Sequence, residues 1–165
     1  MTPGPSLKAR ALKLLATREH SRLELERKLR PHETTEGELA AVLDALTAKG
    51  FVNENRVAEA VVHRKASGWG AARMRQALQD KGLPPDVVAN ALADLPGTEA
   101  ERAVQVWQRR FGTPPVDARE RARQMRFLAA RGFSGAVVGK TVPHAPWVAV
   151  SPMETDGPAD QSGNS

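Results

Sequence analysis

The chain has no cysteine and no tyrosine, and four Phe and three Trp are its only aromatic residues in 165. Without cysteine there is no disulfide framework and no Cys-ligated zinc or iron–sulfur site. A reducing compartment fits, and a cytoplasmic location is expected. With so few rings, Ala, Leu and Val must carry the packing. That suits closely packed helices better than a β-sandwich, which favours β-branched and aromatic residues. Long apolar runs are also missing. No stretch approaches 18 uncharged apolar residues, so no membrane helix is expected. Met1 to Ser6 lacks an apolar core, so no signal peptide is read there.

Motifs for bond chemistry are equally scarce. No two of His20, His32, His63 and His144 lie at the spacing of a helical metal pair. Surface or capping roles are expected for them. There is no G-x-S-x-G and no thiol nucleophile. Gly68-Trp69-Gly70 could open a G-x-G-x-x-G, but Arg73 stands at the third glycine and no strand precedes it. Ser134 to Thr141 imitates a phosphate-binding loop, with Ser at the first glycine. It follows a charged helical stretch ending at Arg131, and Pro143 stops any long helix after Thr141. An ATPase built on Gly139-Lys140-Thr141 would lose nucleotide binding in Lys140→Ala. The expectation is no metal, no cofactor and no catalytic residue, hence no enzyme.

Positive charge is what the chain has. Lys and Arg number 24 against 19 Asp and Glu, a net charge of +5. The last basic residue is Lys140, and three acids (Glu154, Asp156, Asp160) lie beyond Pro143. Residues 1–142 therefore hold 24 bases and 16 acids, or +8. Such a body suits an anionic partner, either nucleic acid or an acidic protein surface, and equally a solvated helical surface.

Helical periodicity runs through those 142 residues. Leu7, Ala11, Leu14 and Leu15 form a first stripe. Ser21 with Glu24 is a capping box ahead of Leu25 and Leu29, and Thr35 with Glu38 repeats it ahead of Leu39, Val42, Leu43 and Leu46. A helix from about Asn53 turns Ala58, Val61 and Val62 inward and stops at Gly68. The next, Ala71 to Lys81, buries Met74, Ala77 and Leu78. Pro84-Pro85 starts another, with Val87, Val88, Ala91, Leu92 and Leu95. Thr98 with Glu101 opens a helix with Ala103, Val106 and Trp107. A further helix after Pro115 turns Ala122, Met125 and Leu128 inward, and a last one covers Ser134 to Val142.

These nine segments fall into three groups of three. A signature of Leu, two spacers, a base, Gly and an apolar residue recurs at Leu46–Phe51, Leu78–Leu83 and Leu128–Phe133, each read as a helix C-terminus. The expected fold is all-α: tandem three-helix repeats in an elongated curved array, with units at 1–52, 53–96 and 97–142. Residues 143–165 hold four Pro, two Gly and three Ser and no stripe, and read as a disordered tail.

The candidate binding residues are arginines. Arg64, Arg73 and Arg75 surround the Gly-Trp-Gly turn, which favours a binding role. Arg119, Arg123 and Arg126, at i, i+4 and i+7, put three forked donors on one helical face suited to carboxylate or phosphate. With Glu120 nearby, a solvated face accounts for them as well.

The segment Arg56-x-Ala58-Glu59, Arg64, Gly68-Trp69-Gly70, Arg73-Met74-Arg75, Leu78 and Lys81-Gly82 resembles the central motif of the RecX family of regulatory proteins. The opening from Ala11-Leu12 through Arg18-Glu19-His20-Ser21 to Lys28-Leu29, and Gly50-Phe51-Val52, match as well. The resemblance spans about residues 7 to 142 and is looser in the third unit. Val57 stands where that family has Phe, Met74 where it has Ile, and Asn53-Glu54 where it has an acidic pair. The resemblance implies tandem three-helix units in a curved rod. It implies a protein that lodges in the groove of the RecA recombinase filament on DNA and hinders its extension or promotes its disassembly. Recombination, DNA repair and the SOS response would thereby be modulated. A monomer is expected, with weak non-specific DNA contact and no membrane. The rival reading is a helix-turn-helix module that binds naked duplex in a sequence-dependent way.

Overall fold

The computed structural model describes residues 2–145. Residues 146–165, with most of the expected tail and Trp147, lie outside the described residues. Within them the chain is all helical. The first unit comprises α1 (Leu7–Thr17), α2 (Arg22–Leu29), a short 3-10 turn (Arg30–His32) and α3 (Glu38–Ala48). The second comprises α4 (Glu54–Lys65), α5 (Ala71–Asp80) and α6 (Pro85–Ala93). The third comprises α7 (Glu99–Arg110), α8 (Ala118–Ala130) and α9 (Gly135–Thr141). No helix among the described residues is long and apolar enough to cross a membrane.

Local chemistry sets most of the helix starts. Ser21–Glu24 and Thr98–Glu101 form complete capping boxes, and the side chains of Ser6, Asn53, Asp117 and Ser134 cap α1, α4, α8 and α9. The box expected at Thr35–Glu38 does not form. Gly37, at φ +84°, is the N-cap of α3. The Glu33 carboxylate reaches in to accept from Leu39 N–H at 3.1 Å. An acid six residues away thus supplies the acceptor that the hydroxyl was expected to give, because the left-handed turn at Gly37 brings it there.

Each unit has its own core. Leu7, Ala11, Leu25, Leu29, Leu39, Leu43, Leu46 and Val52 fill the first, and Val57, Ala58, Val61, Met74, Leu78, Leu83, Val87 and Val88 the second. Ala103, Val106, Trp107, Leu128, Phe133, Val138 and Val142 fill the third. The substantial helix pairings all lie within units, as in a repeat array. On α8 the buried face is Gln124 and Leu128, while Ala122 and Met125 stay partly exposed. Gln124 is tolerated inside because it accepts from Trp107 Nε1 at 2.8 Å.

The recurrent signature ends α3, α5 and α8 in one way. The N–H of Phe51, Leu83 and Phe133 donates to the carbonyl of Leu46, Leu78 and Leu128, the six-to-one bond of a left-handed glycine cap. The second and third copies also join the units. Both turns dock on the N-terminus of the middle helix in the preceding unit. At the first joint the Gly82 turn sits against Leu23 of α2, and Lys81 Nζ meets Glu24 at 2.9 Å. Arg56 reinforces it by pairing with Glu19 at 2.9 Å.

Glu24 is the hub of that first joint. It also accepts from Arg18 at 3.0 Å and from Ser21 N–H at 2.8 Å. Burial alone would push its carboxyl up. The bonds from Lys81, Ser21 and Arg18 outweigh that and hold it at about 2. His20, expected at the surface or in a cap, is 1% exposed beside it. Its Nδ1 bonds Arg18 O at 3.0 Å and its Nε2 lies 3.3 Å from Lys28 Nζ, an arrangement suited to the neutral ring. Burial lowers the imidazole pKa from 6.5, against the opposing pull of the Arg18 carbonyl. Both groups therefore make acid destabilising. His20 begins to withdraw stability as pH falls below 6.5, and the Glu24 contribution, complete above 4.5, disappears as pH falls through about 2. Glu24→Gln is expected to cost roughly 2–3 kcal/mol at pH 7 and to flatten the loss of thermal midpoint between about pH 4.5 and 2. Unchanged acid sensitivity in that variant would remove Glu24 from this role.

Candidate functional site

The distribution of ion pairs points to the other joint. The described residues make six ion pairs, and five of them involve Arg18, Arg22, Arg56 or Lys81, in or next to the first unit. Residues 97–142 carry nine Lys and Arg against four Asp and Glu, yet make only the Arg123–Glu120 pair, at 3.6 Å. Positive charge is thus left without carboxylate partners at the end of α4 and, above all, through residues 97–142.

The second joint organises it. Gly70 has no side chain to cap α5, and the free N–H groups find acceptors in the third unit. Gly70 N–H donates to Arg131 O at 2.7 Å and Ala72 N–H to Gly132 O at 3.2 Å. So the turn after α8 caps α5 with its main chain. The backbones are so close that a Cβ on Gly70 would overlap the Gly132 carbonyl, and one on Gly132 would overlap Arg73. The Gly-Trp-Gly turn is therefore special through close approach. Neither Gly68 nor Gly70 has positive φ, whereas Gly132 does, at +86°. Arg109 Nη2 adds a bond to Ser67 O across the same joint.

Over this joint runs a row of cations on aromatic faces. Lys65 Nζ lies 5.1 Å and the Arg73 guanidinium 4.5 Å from the Trp69 ring centre. Arg73 also donates to Ala130 O at 3.4 Å, beside Arg131. Arg131 lies 4.9 Å from Phe127. Phe127 meets Phe111 edge to face at 5.3 Å. Arg110 faces Phe111 at 5.3 Å and Phe127 at 5.5 Å, and Arg123 faces Phe111 at 5.7 Å. Five cations share three rings. Of the five, only Arg123 has a carboxylate partner. A ring face holds a guanidinium in place without neutralising it. The row presents ordered positive charge seated on partly buried rings, an arrangement that fits a phosphate backbone.

Of the arginines expected from sequence, Arg73 and Arg123 belong to this row. Arg75 does not join Arg73: two positions apart on a helix, they project from different faces. Arg64 is exposed and bonds Ala60 O of its own helix at 3.3 Å. Arg119 and Arg126 are exposed on the α8 face that carries Arg123, in continuity with the row. Trp69, Phe111, Phe127, Arg110 and Arg131 were not singled out as site residues. Their signal was present: Lys65-Trp69-Arg73 and Arg123-Phe127-Arg131 are each spaced by four. The imitation of a phosphate-binding loop is helix α9, capped by Ser134, with the Gly139 carbonyl accepting from Arg121 at 3.2 Å. No loop of free N–H groups exists there to cradle a phosphate.

Comparisons with known proteins agree along the chain. Family models described as the first, second and third three-helix domains of RecX match residues 8–46, 53–92 and 98–142. A protein of Leptothrix cholodnii named Regulatory protein RecX is 58% identical over 136 residues, covering 82% of this chain and 87% of that protein. One of Ralstonia nicotianae with the same name is 50% identical, covering 83% and 86%. Among solved structures, RecX from Lactobacillus salivarius superposes with a TM-score of 0.66 at 21% identity, covering 82% of this chain and 91% of that one. Another RecX crystal structure gives 0.68 at 22%, covering 82% and 70%. At these identities the two structures speak for the fold.

Proposed function

The chain belongs to the RecX family of regulatory proteins, and on that premise we propose that it binds the RecA recombinase filament on DNA and limits its growth or promotes its disassembly. It does so by occupying surface, in the cytoplasm, and without a covalent step. The observation that supports contact with a nucleoprotein filament is the row from Lys65 to Arg123. Its five cations sit on Trp69, Phe127 and Phe111 across the second joint. In this reading the row meets the DNA of the filament. Arg119 and Arg126 extend it along α8, and Arg64 and Arg75 flank it from other faces. Contact through phosphates is insensitive to base sequence.

The test is RecA filament growth on single-stranded DNA with ATP, with the purified chain added below the RecA concentration. Arrest or net shortening is expected. No effect, together with tight sequence-dependent binding to bare duplex, would replace this reading with a helix-turn-helix DNA-binding module.

A further inference from the structure

On a different part of the second and third units lies a groove that the cation row does not use. One bank is α4; the other is α6, continued by the α6–α7 turn and α7. It has two connected basins, of about 330 Å³ and about 700 Å³, and Glu59, Val62 and Asp94 line both. The floor includes Ala58, Val87 and Ala66. Glu59 and Asp94 are exposed and make no ion pair among the described residues, although the chain is basic.

The wall of the larger basin holds Arg102, 7% exposed and paired with no carboxylate; Glu101, in the same wall, turns its carboxylate to the Thr98 N–H of the capping box at 2.8 Å. Arg102 Nη1 donates to the Pro96 and Gly97 carbonyls, at 3.1 and 3.2 Å, while its Nε is buried with no partner. Burying a charge is unfavourable unless it is paired. A structural strap to two carbonyls leaves that charge unanswered. An acceptor that enters the basin can answer it.

We infer that this groove docks a segment of a partner protein that offers a carboxylate to Arg102 and, a few residues along, an ammonium or guanidinium to Glu59 and Asp94. Apolar side chains between them lie on Val62, Ala66 and Val87. The acids argue for a protein segment as the occupant, because a polyanion such as DNA is repelled by Glu59 and Asp94. The partner is the protein half of the filament. This rests on the proposed function, with the cation row taking the DNA and the groove taking RecA.

The experiment measures binding of the full chain to RecA without DNA, and separately to single-stranded oligonucleotide. The variants are Glu59→Gln/Asp94→Asn and Arg102→Met. Both are expected to lose at least tenfold in RecA affinity without a comparable loss for the oligonucleotide, which Glu59→Gln/Asp94→Asn should bind at least as well as the wild type. Arg102→Met is further expected to hold or raise the thermal midpoint, since it removes an unpaired buried charge; a mere strap would lower it. If the wild type binds RecA and Glu59→Gln/Asp94→Asn binds equally well, the groove assignment is overturned and the proposed function stands. If the wild type does not bind RecA even as a filament, both fall. Sedimentation closes the remaining alternative: a concentration-dependent dimer that Glu59→Gln/Asp94→Asn abolishes would give the groove to a second copy and overturn the assignment.

Discussion

Gly70→Ala is expected to lower stability by roughly 3 kcal/mol or more and to uncouple the third unit from the second. The added methyl would occupy the space of the Gly132 carbonyl. The turn after α8 would have to retreat, and the N–H groups of Gly70 and Ala72 would lose the Arg131 and Gly132 carbonyls that cap α5. The same retreat would pull Gly132 off Arg73, so every close contact of the turn with the start of α5 would be lost together. The third unit would then rest on its own small core, which is marginal for a unit of this size. Thermal denaturation at pH 7 should change from one transition to two, and amide exchange at Gly70 and Ala72 should accelerate. Gly68→Ala is the internal control. Its nearest neighbour would be Arg131 Nη1 at 3.5 Å, an ordinary contact, and its φ is not positive. That variant should stay within about 0.5 kcal/mol of the wild type. Equal effects at the two glycines would mean that the turn matters for its conformation and not for the approach of the third unit.

That contrast marks what could and could not be read from sequence. Helices and caps were legible because their causes are local: Ser21, Asn53 and Thr98 act on N–H groups three residues away. Apolar stripes such as Leu39, Leu43 and Leu46 fix the buried face by period alone. Where the partner is distant in sequence, the reading stopped. Even reaches only a little beyond the capping spacing escape it: Glu33 serves the Leu39 N–H six residues on, and His20 meets Lys28 eight residues on. The acceptors for α5 lie some sixty residues away, on main-chain carbonyls rather than side chains. On α8 a buried Gln124 broke the apolar pattern, because its partner is Trp107 on another helix.

The candidate row was legible in part for the same reason. Charge placement picked out Arg73 and Arg123, which the row contains. Grouping Arg73 with Arg75 treated nearness in sequence as nearness in space. What brings Arg73 to the third unit is its bond to the Ala130 carbonyl, and its seat is the Trp69 ring of its own unit.

Neutralising the row should produce the largest change in binding. Lys65→Gln, Arg110→Gln and Arg123→Gln leave Arg73 and Arg131 to hold the joint. The three replaced side chains are exposed, so the thermal midpoint should barely move. Each cation that neutralises a phosphate on single-stranded DNA contributes about 0.7 to the slope of log affinity against log salt. The triple variant should therefore lose about 2 from that slope, and roughly 10- to 100-fold in affinity for the oligonucleotide at low salt. Arrest of RecA filaments should weaken in parallel if the row meets the filament's DNA. A charge-matched control, Lys8→Gln, Arg27→Gln and Arg30→Gln, removes three exposed cations from the first unit and should change the slope much less. If both triple variants lose equally, net charge alone attracts the DNA, and the aromatic seats have no part in binding. If only the row variant loses, the flat faces of Trp69, Phe111 and Phe127 become the next positions to test. Trp69→Leu would then separate stacking from charge, because it keeps every cation and removes one ring.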